Sequence, residues 1–299
     1  MILLRKPAAI PEELQFPKKG CFRFAKAAIV MTPFEKLKVV RGGTRPTAID
    51  YIECLFEDRV SLAGDRRYSE DTAIEAGIGF LAGIPVTYIG IEKGKDLTSR
   101  MKNNFGCPKP DGYRKALRLM KQAEKFHRPV ICFVDTLGAF PGAEAEERGQ
   151  GQAIAENILE LTGLKTPTIS VVIGEGGSGG ALALCTTDRV YMLENACYSV
   201  ISPEGCASIL WKDSARASDA ADALHITAED MKSFGVAEEI IPEDFSHFDA
   251  MCKTLREQLV NDLKKLTSYG ETKLLEQRYR RFRKFGIYEE DGTVHGSTL

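Results

Sequence analysis

The apolar positions along this chain alternate between two rhythms. From Ala73 to Ile91 they crowd into the runs 73–81 and 85–90, broken at Ala82-Gly83, which predicts two strands joined by a tight turn. From Asp111 to about His127 the spacing becomes helical, with Ala116, Leu119, Met120, Ala123 and Phe126 returning on one face. The run Pro129–Asp135 is a buried strand that breaks into the loop Thr136–Gly142. A charged helix start at Glu144–Arg148 then runs into Ile154, Ile158 and Leu161 and stops at Lys165-Thr166-Pro167. The next run, Thr168–Ile173, is mostly β-branched and uncharged, and so reads as another buried strand. Five glycines between Gly174 and Gly180 interrupt it, and a short apolar helix follows to Cys185. Two more strands are expected at Asp188–Leu193 and Cys197–Val200. The second leads to Ser202 as a helix cap, with Pro203 at the first position and Glu204 against the dipole.

Helices flank these units. Thr32, Pro33 and Glu35 spell a helix start, and Gly42-Gly43 its stop. A second helix after Arg45-Pro46-Thr47 places Ile49, Ile52, Leu55 and Phe56 on one face. Residues 246–266 are amphipathic through Phe248, Met251, Leu255, Leu259, Leu263 and Leu266. Residues 271–285 form another helix that ends in the basic stretch Arg278–Lys284, read as a solvated face or a subunit contact. The segments Glu92–Arg100 and Asn103–Pro110 are polar and read as loops, the lysines of 93–102 being solvated or in contact with phosphates.

The order strand, glycine-rich loop, helix recurs at 129–160, at 168–187 and more weakly at 197–211. Successive units of this kind lie parallel, joined by right-handed crossovers, and their loops leave the sheet at one edge. Gly138–Gly142, Gly174–Ala181 and Ser202–Gly205 are therefore expected to face one another across a cleft.

The glycine turn admits three chemistries. Gly174, Gly176 and Gly179 match the dinucleotide fingerprint, with Glu194 further on. However, only Ala181–Thr187 separate the turn from the next strand, too short for the usual crossover helix. Gly176-Gly177-Ser178-Gly179-Gly180 also matches the nucleophile elbow, but none of the four histidines falls in a loop that plainly faces Ser178. In the third chemistry the turn is an oxyanion hole, in which the amides of Gly179, Gly180 and Ala181 at a helix start hold a negative oxygen. Gly138 and Ala139 in the neighbouring loop add a second donor. Loss of one such donor typically costs ~2.7–4 kcal/mol of transition-state stabilisation. Otherwise the glycines serve only close packing. Glu144, Glu146, Glu147 and Arg148 read as a capped helix start sooner than as acid–base residues.

Composition narrows the class. A net charge of −2 points to neither nucleic acid nor membrane, and no apolar run reaches the ~18 residues of a membrane span. The N-terminal apolar run is too short for a secretory signal. None of the eight cysteines forms a Cys-x-x-Cys pair, so no zinc ribbon or other metal site is expected. Cys132 and Cys185 fall in apolar runs as small core residues, which suits a reduced, cytoplasmic protein.

Long stretches of the chain resemble the α subunit of bacterial acetyl-CoA carboxylase carboxyltransferase. They include Arg45–Ile52, Gly64-Asp65-Arg66, Asn104-Phe105-Gly106, Gly112–Leu119, Ala145–Gln150, Val172–Ala183 and Tyr198–Lys212, within roughly residues 32–285. The resemblance implies a crotonase/ClpP-like α/β fold, a spiral of ββα units with flanking N- and C-terminal helices. It implies an extension and helix at 1–45, the carboxyltransferase domain at 46–245, and at 246–299 a helical arm that packs on a partner subunit. It also implies a reaction: the carboxyl group of carboxybiotin, carried by the biotin carboxyl carrier protein and loaded by biotin carboxylase, passes to acetyl-CoA. The product is malonyl-CoA for fatty acid biosynthesis.

In that resemblance Gly179, Gly180, Ala181, Gly138 and Ala139 hold the ureido oxygen of biotin, while Gly176, Gly177, Ser178 and Phe140 line its site. Biotin is not attached to this chain. A β subunit with its own zinc ribbon holds acetyl-CoA, in an α2β2 assembly. The chain departs from the family at Leu137, usually Pro, at Phe140, often Tyr, and at Glu144, commonly Gly. Leu137 thereby adds one N–H to the loop. The rival readings are a carboxyltransferase for another acyl-CoA, a decarboxylase, a hydratase with a carboxylate in the cleft, and a non-catalytic scaffold.

Overall fold

A computed structural model describes residues 31–286, 288–290 and 293–296. The expectations for residues 1–30 lie outside these.

Helix α1 (Pro33–Arg41) starts on a capping box. The Thr32 side chain accepts from the Glu35 amide at 3.2 Å, and the Glu35 carboxylate accepts from the Thr32 amide at 2.8 Å. Helix α2 (Ala48–Leu55) buries Ala48, Tyr51, Ile52 and Leu55. Ile49, expected on the buried face, is exposed instead. Tyr51 sets the rotation of the helix, because its ring stacks on Phe133 and meets Phe248 edge-on.

Strand β1 (Glu57–Ser61) has no apolar signature and is exposed throughout, a charged edge that discourages further pairing. The hairpin of β2 (Ile74–Leu81) and β3 (Ile84–Ile91) turns on Ala82 and Gly83, both left-handed at φ 49° and 78°. A short helix α3 (Leu97–Lys102) occupies part of the expected loop, capped by the Asp96 carboxylate on the Ser99 amide. Helix α4 (Pro110–Lys125) buries Tyr113, Ala116, Leu119, Met120 and Ala123. Phe126, expected on that face, caps the helix in solvent beneath Lys125 and Arg128.

Strand β4 (Val130–Thr136) leads to α5 (Ala143–Glu147) and α6 (Gln150–Thr162). These two replace a single expected helix because Gly149, at φ 83°, breaks it. Strand β5 (Thr168–Gly177) runs directly into α7 (Ser178–Cys185). Then come β6 (Arg189–Leu193), β7 (Cys197–Ser199), α8 (Pro203–Trp211), α9 (Ala217–Leu224), α10 (Ala228–Ser233) and β8 (Glu239–Ile241). Helices α11 (Phe248–Thr267) and α12 (Gly270–Arg283) follow, and a small hairpin of β9 (Tyr288–Glu290) and β10 (Thr293–His295) closes the sequence of elements.

The main sheet has the order β1-β2-β3-β4-β5-β6-β8, antiparallel as far as β3 and parallel from there on. Strands β4 and β5 are buried along their whole length, as central parallel strands are. Away from β4, the strand β5 has two successive neighbours. Ile169–Val172 pair with β6, and Glu175–Gly177 pair with β7. Three strands therefore bring their carboxyl ends to one place. The α11 residues Met251, Cys252, Leu255, Leu259, Leu263 and Leu266 enter the same core as the sheet, with Leu274 of α12. Cys132 and Cys185 lie in that core as free thiols. Among the described residues no helix is long and apolar enough to cross a membrane.

Arg278 corrects the reading of the basic stretch as a solvated face, for its side chain is fully buried in the core. Its guanidinium forks onto both oxygens of Asp188 at 2.8 Å and donates to the carbonyls of Leu161, Thr162, Leu164 and Thr166. It thus satisfies the orphan carbonyls at the end of α6 and ties them to the start of β5.

A second buried pair ties α2 to the end of β8. Arg45 grips Glu243 through two 2.7 Å bonds and donates to the Ile173 carbonyl, while Asn195 adds two donors to the same carboxylate. Burial alone would raise the Glu243 pKa, but Arg45 and Asn195 outweigh it and hold the carboxyl below its usual range. A depressed carboxyl contributes stability above its unfolded pKa of ~4.3 and loses it as pH falls through its folded value. Urea midpoints should therefore fall below about pH 4.3, and Glu243→Gln should flatten part of that acid limb while lowering the neutral plateau. An unchanged slope in the variant would contradict this assignment.

Candidate active site

The two glycine loops meet. Strand β5 ends at Gly177, and Ser178 opens α7 in the left-handed region at φ 52°. That sharp turn presses α7 against the loop after β4. A Cβ on Gly180 would lie 2.7 Å from the Ala139 amide nitrogen and 2.8 Å from the Gly138 carbonyl carbon. A side chain at Gly177 would overlap the Leu137 carbonyl. Glycine is thus required on the α7 side by backbone, not by helix packing alone.

The opposing loop is held by Thr136. Its hydroxyl donates to the Gly138 carbonyl at 2.8 Å and accepts the Gly138 amide at 3.0 Å. Gly138, at φ 144°, could not readily be another residue. Its own amide is engaged, which leaves the Ala139 amide as the donor facing Gly180. On the other side, a helix that begins at Ser178 leaves the amides of Ser178, Gly179 and Gly180 without partners inside the helix. Ala181 stands one place further in, where a regular helix pairs its amide with the Gly177 carbonyl.

A bulge prepares this geometry. The β4–β5 register shifts between Val134↔Val172 and Thr136↔Gly176. The Asp135 carboxylate fills the gap, lying against Gly174, where a Cβ would overlap it, and accepting the Glu175 amide at 2.9 Å. Lys93 reaches the same carboxylate at 2.5 Å. At Gly176 the obstacle is the Tyr198 ring on β7, 2.5 Å from a Cβ placed there.

Two recesses flank the turn. The larger, about 510 Å³, has Phe105 and Leu137 in its wall together with the charged Arg41, Lys93, Arg100, Asp135, Glu175 and Glu204. Its three carboxylates are all taken. Asp135 pairs with Lys93, and Arg41 binds Glu175 at 2.6 Å and Glu204 at 2.7 Å. A hydratase would need one of them free. The smaller recess, about 310 Å³, is apolar. Ser178 and Gly179 form its polar edge, and Leu182, Tyr198, Val200 and Leu224 line its wall. No histidine lines either recess. Ser178 therefore has the elbow's backbone but no base, and the nucleophile reading loses its proton acceptor.

The expected residues fall unevenly. Gly138, Ala139, Gly177 and Gly180 come together, and Ser178 and Gly179 open on the apolar recess. Gly176 and Ala181 are buried beneath. Phe140 lines neither recess, since its ring lies under the Lys109 ammonium, against Gly142. Glu144 is exposed and pairs with Lys109, whose hydrogen bond lowers its pKa. Ser202 and Glu204 join the larger recess, as the third loop was expected to do. Tyr113, Thr136 and the Lys93–Asp135 pair were not anticipated. Thr136, followed two residues later by glycine, was the readable signal among them.

A mixed sheet flanked by helices, whose adjacent parallel strands end in glycine turns packed against each other, defines an α/β protein with a backbone-lined site. The acetyl co-enzyme A carboxylase carboxyltransferase-like family matches residues 22–286. The chain is 52% identical over 262 residues to the acetyl-coenzyme A carboxylase carboxyl transferase subunit alpha of Halalkalibacterium halodurans, covering 86% of this chain and 81% of that one. It is 50% identical over 265 residues to the protein of that name from Clostridium acetobutylicum, covering 87% and 97%. Among solved structures it resembles the transcarboxylase 12S hexamer core with methylmalonyl-coenzyme A bound. The TM-score is 0.62 at 19% identity, and the match covers 76% of this chain but only 44% of that one. The chain belongs to the acetyl co-enzyme A carboxylase carboxyltransferase-like family. It is accordingly a carboxyltransferase subunit.

Proposed function

We propose that this chain is the carboxybiotin-side half of an acetyl-CoA carboxylase carboxyltransferase. The observation that carries the reading is the close approach of Gly180 to the Gly138–Ala139 peptide, which brings the two glycine loops together at one edge of the sheet. In this reading the amides of Gly179, Gly180 and Ala139 hold the ureido oxygen of biotin as it gains negative charge. Fixed donors aimed at developing charge need no reorganisation during the reaction. The fit to biotin rests on the apolar recess that ends on Ser178 and Gly179, which suits an apolar bicyclic ring with one polar edge.

Carboxybiotin, brought by a separate carrier protein and reloaded by biotin carboxylase, supplies the carboxyl group. The chain's own part is to bind and orient the ureido end and to keep water from it. A β chain with a zinc ribbon supplies the acetyl-CoA half, and malonyl-CoA for fatty acid synthesis is the product. The large exposed apolar side chains Leu137 and Val200, one in the wall of each recess, favour a site completed by that partner. A cytoplasmic α2β2 assembly follows from the same reading.

The test is reconstitution with a β chain, followed by malonyl-CoA decarboxylation in the presence of a free biotin analogue. Activity is expected from the mixture and from neither chain alone. A folded, assembled complex without activity would refute the reading.

A further inference from the structure

Tyr113 lies at the junction of the two turns. It stands on α4, fully buried, and its ring packs with Ala153 and Ala183, with Ala139 and Ile154 against the same cluster. Its hydroxyl would lie 2.8 Å from a Cβ on Gly180, the same point that comes within 2.7 Å of the Ala139 amide. Yet that hydroxyl has no hydrogen-bond partner among the described residues. A buried hydroxyl left unpaired lowers stability, and phenylalanine would fill the same space without that loss. Burial also pushes the phenol well above its ordinary pKa, so it stays protonated and able to donate.

We propose that Tyr113 is a positioning residue for the backbone donors of the site, its unpaired hydroxyl buttressing Gly180 against the Gly138–Ala139 peptide and turning its dipole toward negative charge held there. The inference rests on the proposed function above. The hydroxyl does not touch the ligand, because it is buried beneath both turns. It rotates about one bond and has no acceptor to give up in the resting chain. Its contribution therefore grows only as charge develops, which is the condition for lowering a barrier without tightening substrate binding. A dipole of this kind acts strongly in a water-excluded, low-dielectric site.

Tyr113→Phe separates this role from a structural one. The variant and the wild-type chain are each assembled with a β chain, and thermal unfolding and steady-state kinetics are measured on both. The expected result is an unchanged or raised Tm together with a kcat lowered about tenfold and a KM within about twofold, a smaller loss than that of a direct donor. A kcat within about twofold of wild type would overturn the inference. So would a lowered Tm, which would show that the hydroxyl is structurally satisfied. Loss of turnover already in the wild-type complex would overturn the proposed function and this inference together. An active wild type with an unaffected variant would overturn only the role of Tyr113.

Discussion

Gly180→Ala is expected to lower kcat of the assembled enzyme by a factor of about 10²–10³, with assembly intact. One methyl group suffices because its two nearest neighbours are backbone, the Ala139 nitrogen at 2.7 Å and the Gly138 carbonyl carbon at 2.8 Å, and the third is the hydroxyl of the fully buried Tyr113 at 2.8 Å. None of these is the free end of a flexible side chain. The loop after β4 must move away, and the Ala139 donor moves with it. Valine at this position demands a larger shift of the same kind. Gly179→Ala is the informative comparison, since its Cβ meets only Ile154 Cγ2 at an ordinary 3.5 Å. That variant keeps the loop spacing and is expected to retain far more turnover. Steady-state kinetics on both complexes, with size-exclusion chromatography for assembly, check the pair. Equal losses would show that the loop contact does not govern the reaction.

Arg278→Met is expected to destabilise the chain by about 3–5 kcal/mol, the usual consequence of breaking a buried ion pair by removing one partner. Asp188 would keep the Thr168 amide and hydroxyl as donors but lose both guanidinium bonds while only 4% exposed. The carbonyls of Leu161, Leu164 and Thr166 would lose a donor at the same time. Arg278→Lys rescues little, because an ammonium cannot fork onto a carboxylate and reach separate carbonyls together. The double variant Arg278→Met, Asp188→Asn should recover part of the loss, since no uncompensated charge then remains buried. Urea unfolding of the three variants measures this. A single-variant loss below about 0.5 kcal/mol, the range of ordinary surface changes, would contradict the role of the clamp.

Much of this architecture was legible because its signals are local. The buried β4 and β5 read as uncharged β-branched runs, and glycine marked where each ended. Parallel crossovers then put the two loops on one edge, and Gly180 does meet Gly138 and Ala139 there. What could not be read depends on partners distant in the chain. Lys93 answers Asp135 through the fold, so its segment looked like a solvated loop. Arg278 belongs to a run of similar charges, and composition does not say which member turns inward. Its one local signal was Leu274, a helical turn earlier on the same buried face. Ile49 and Phe126 were misplaced because an apolar residue near a helix end fits a periodic pattern without being needed in the core. Tyr113 carried no signal in the sequence; what distinguishes it is an unpaired buried hydroxyl placed beside Gly180.

The most direct measurement of the central claim follows an isotopic carboxyl group from carrier-bound biotin to acetyl-CoA. With this chain and a β chain present, label is expected in malonyl-CoA, to depend on both chains, and to fall by about 10²–10³ in rate with Gly180→Ala. Transfer at the wild-type rate by the Gly180→Ala complex, or by the β chain alone, would contradict the account.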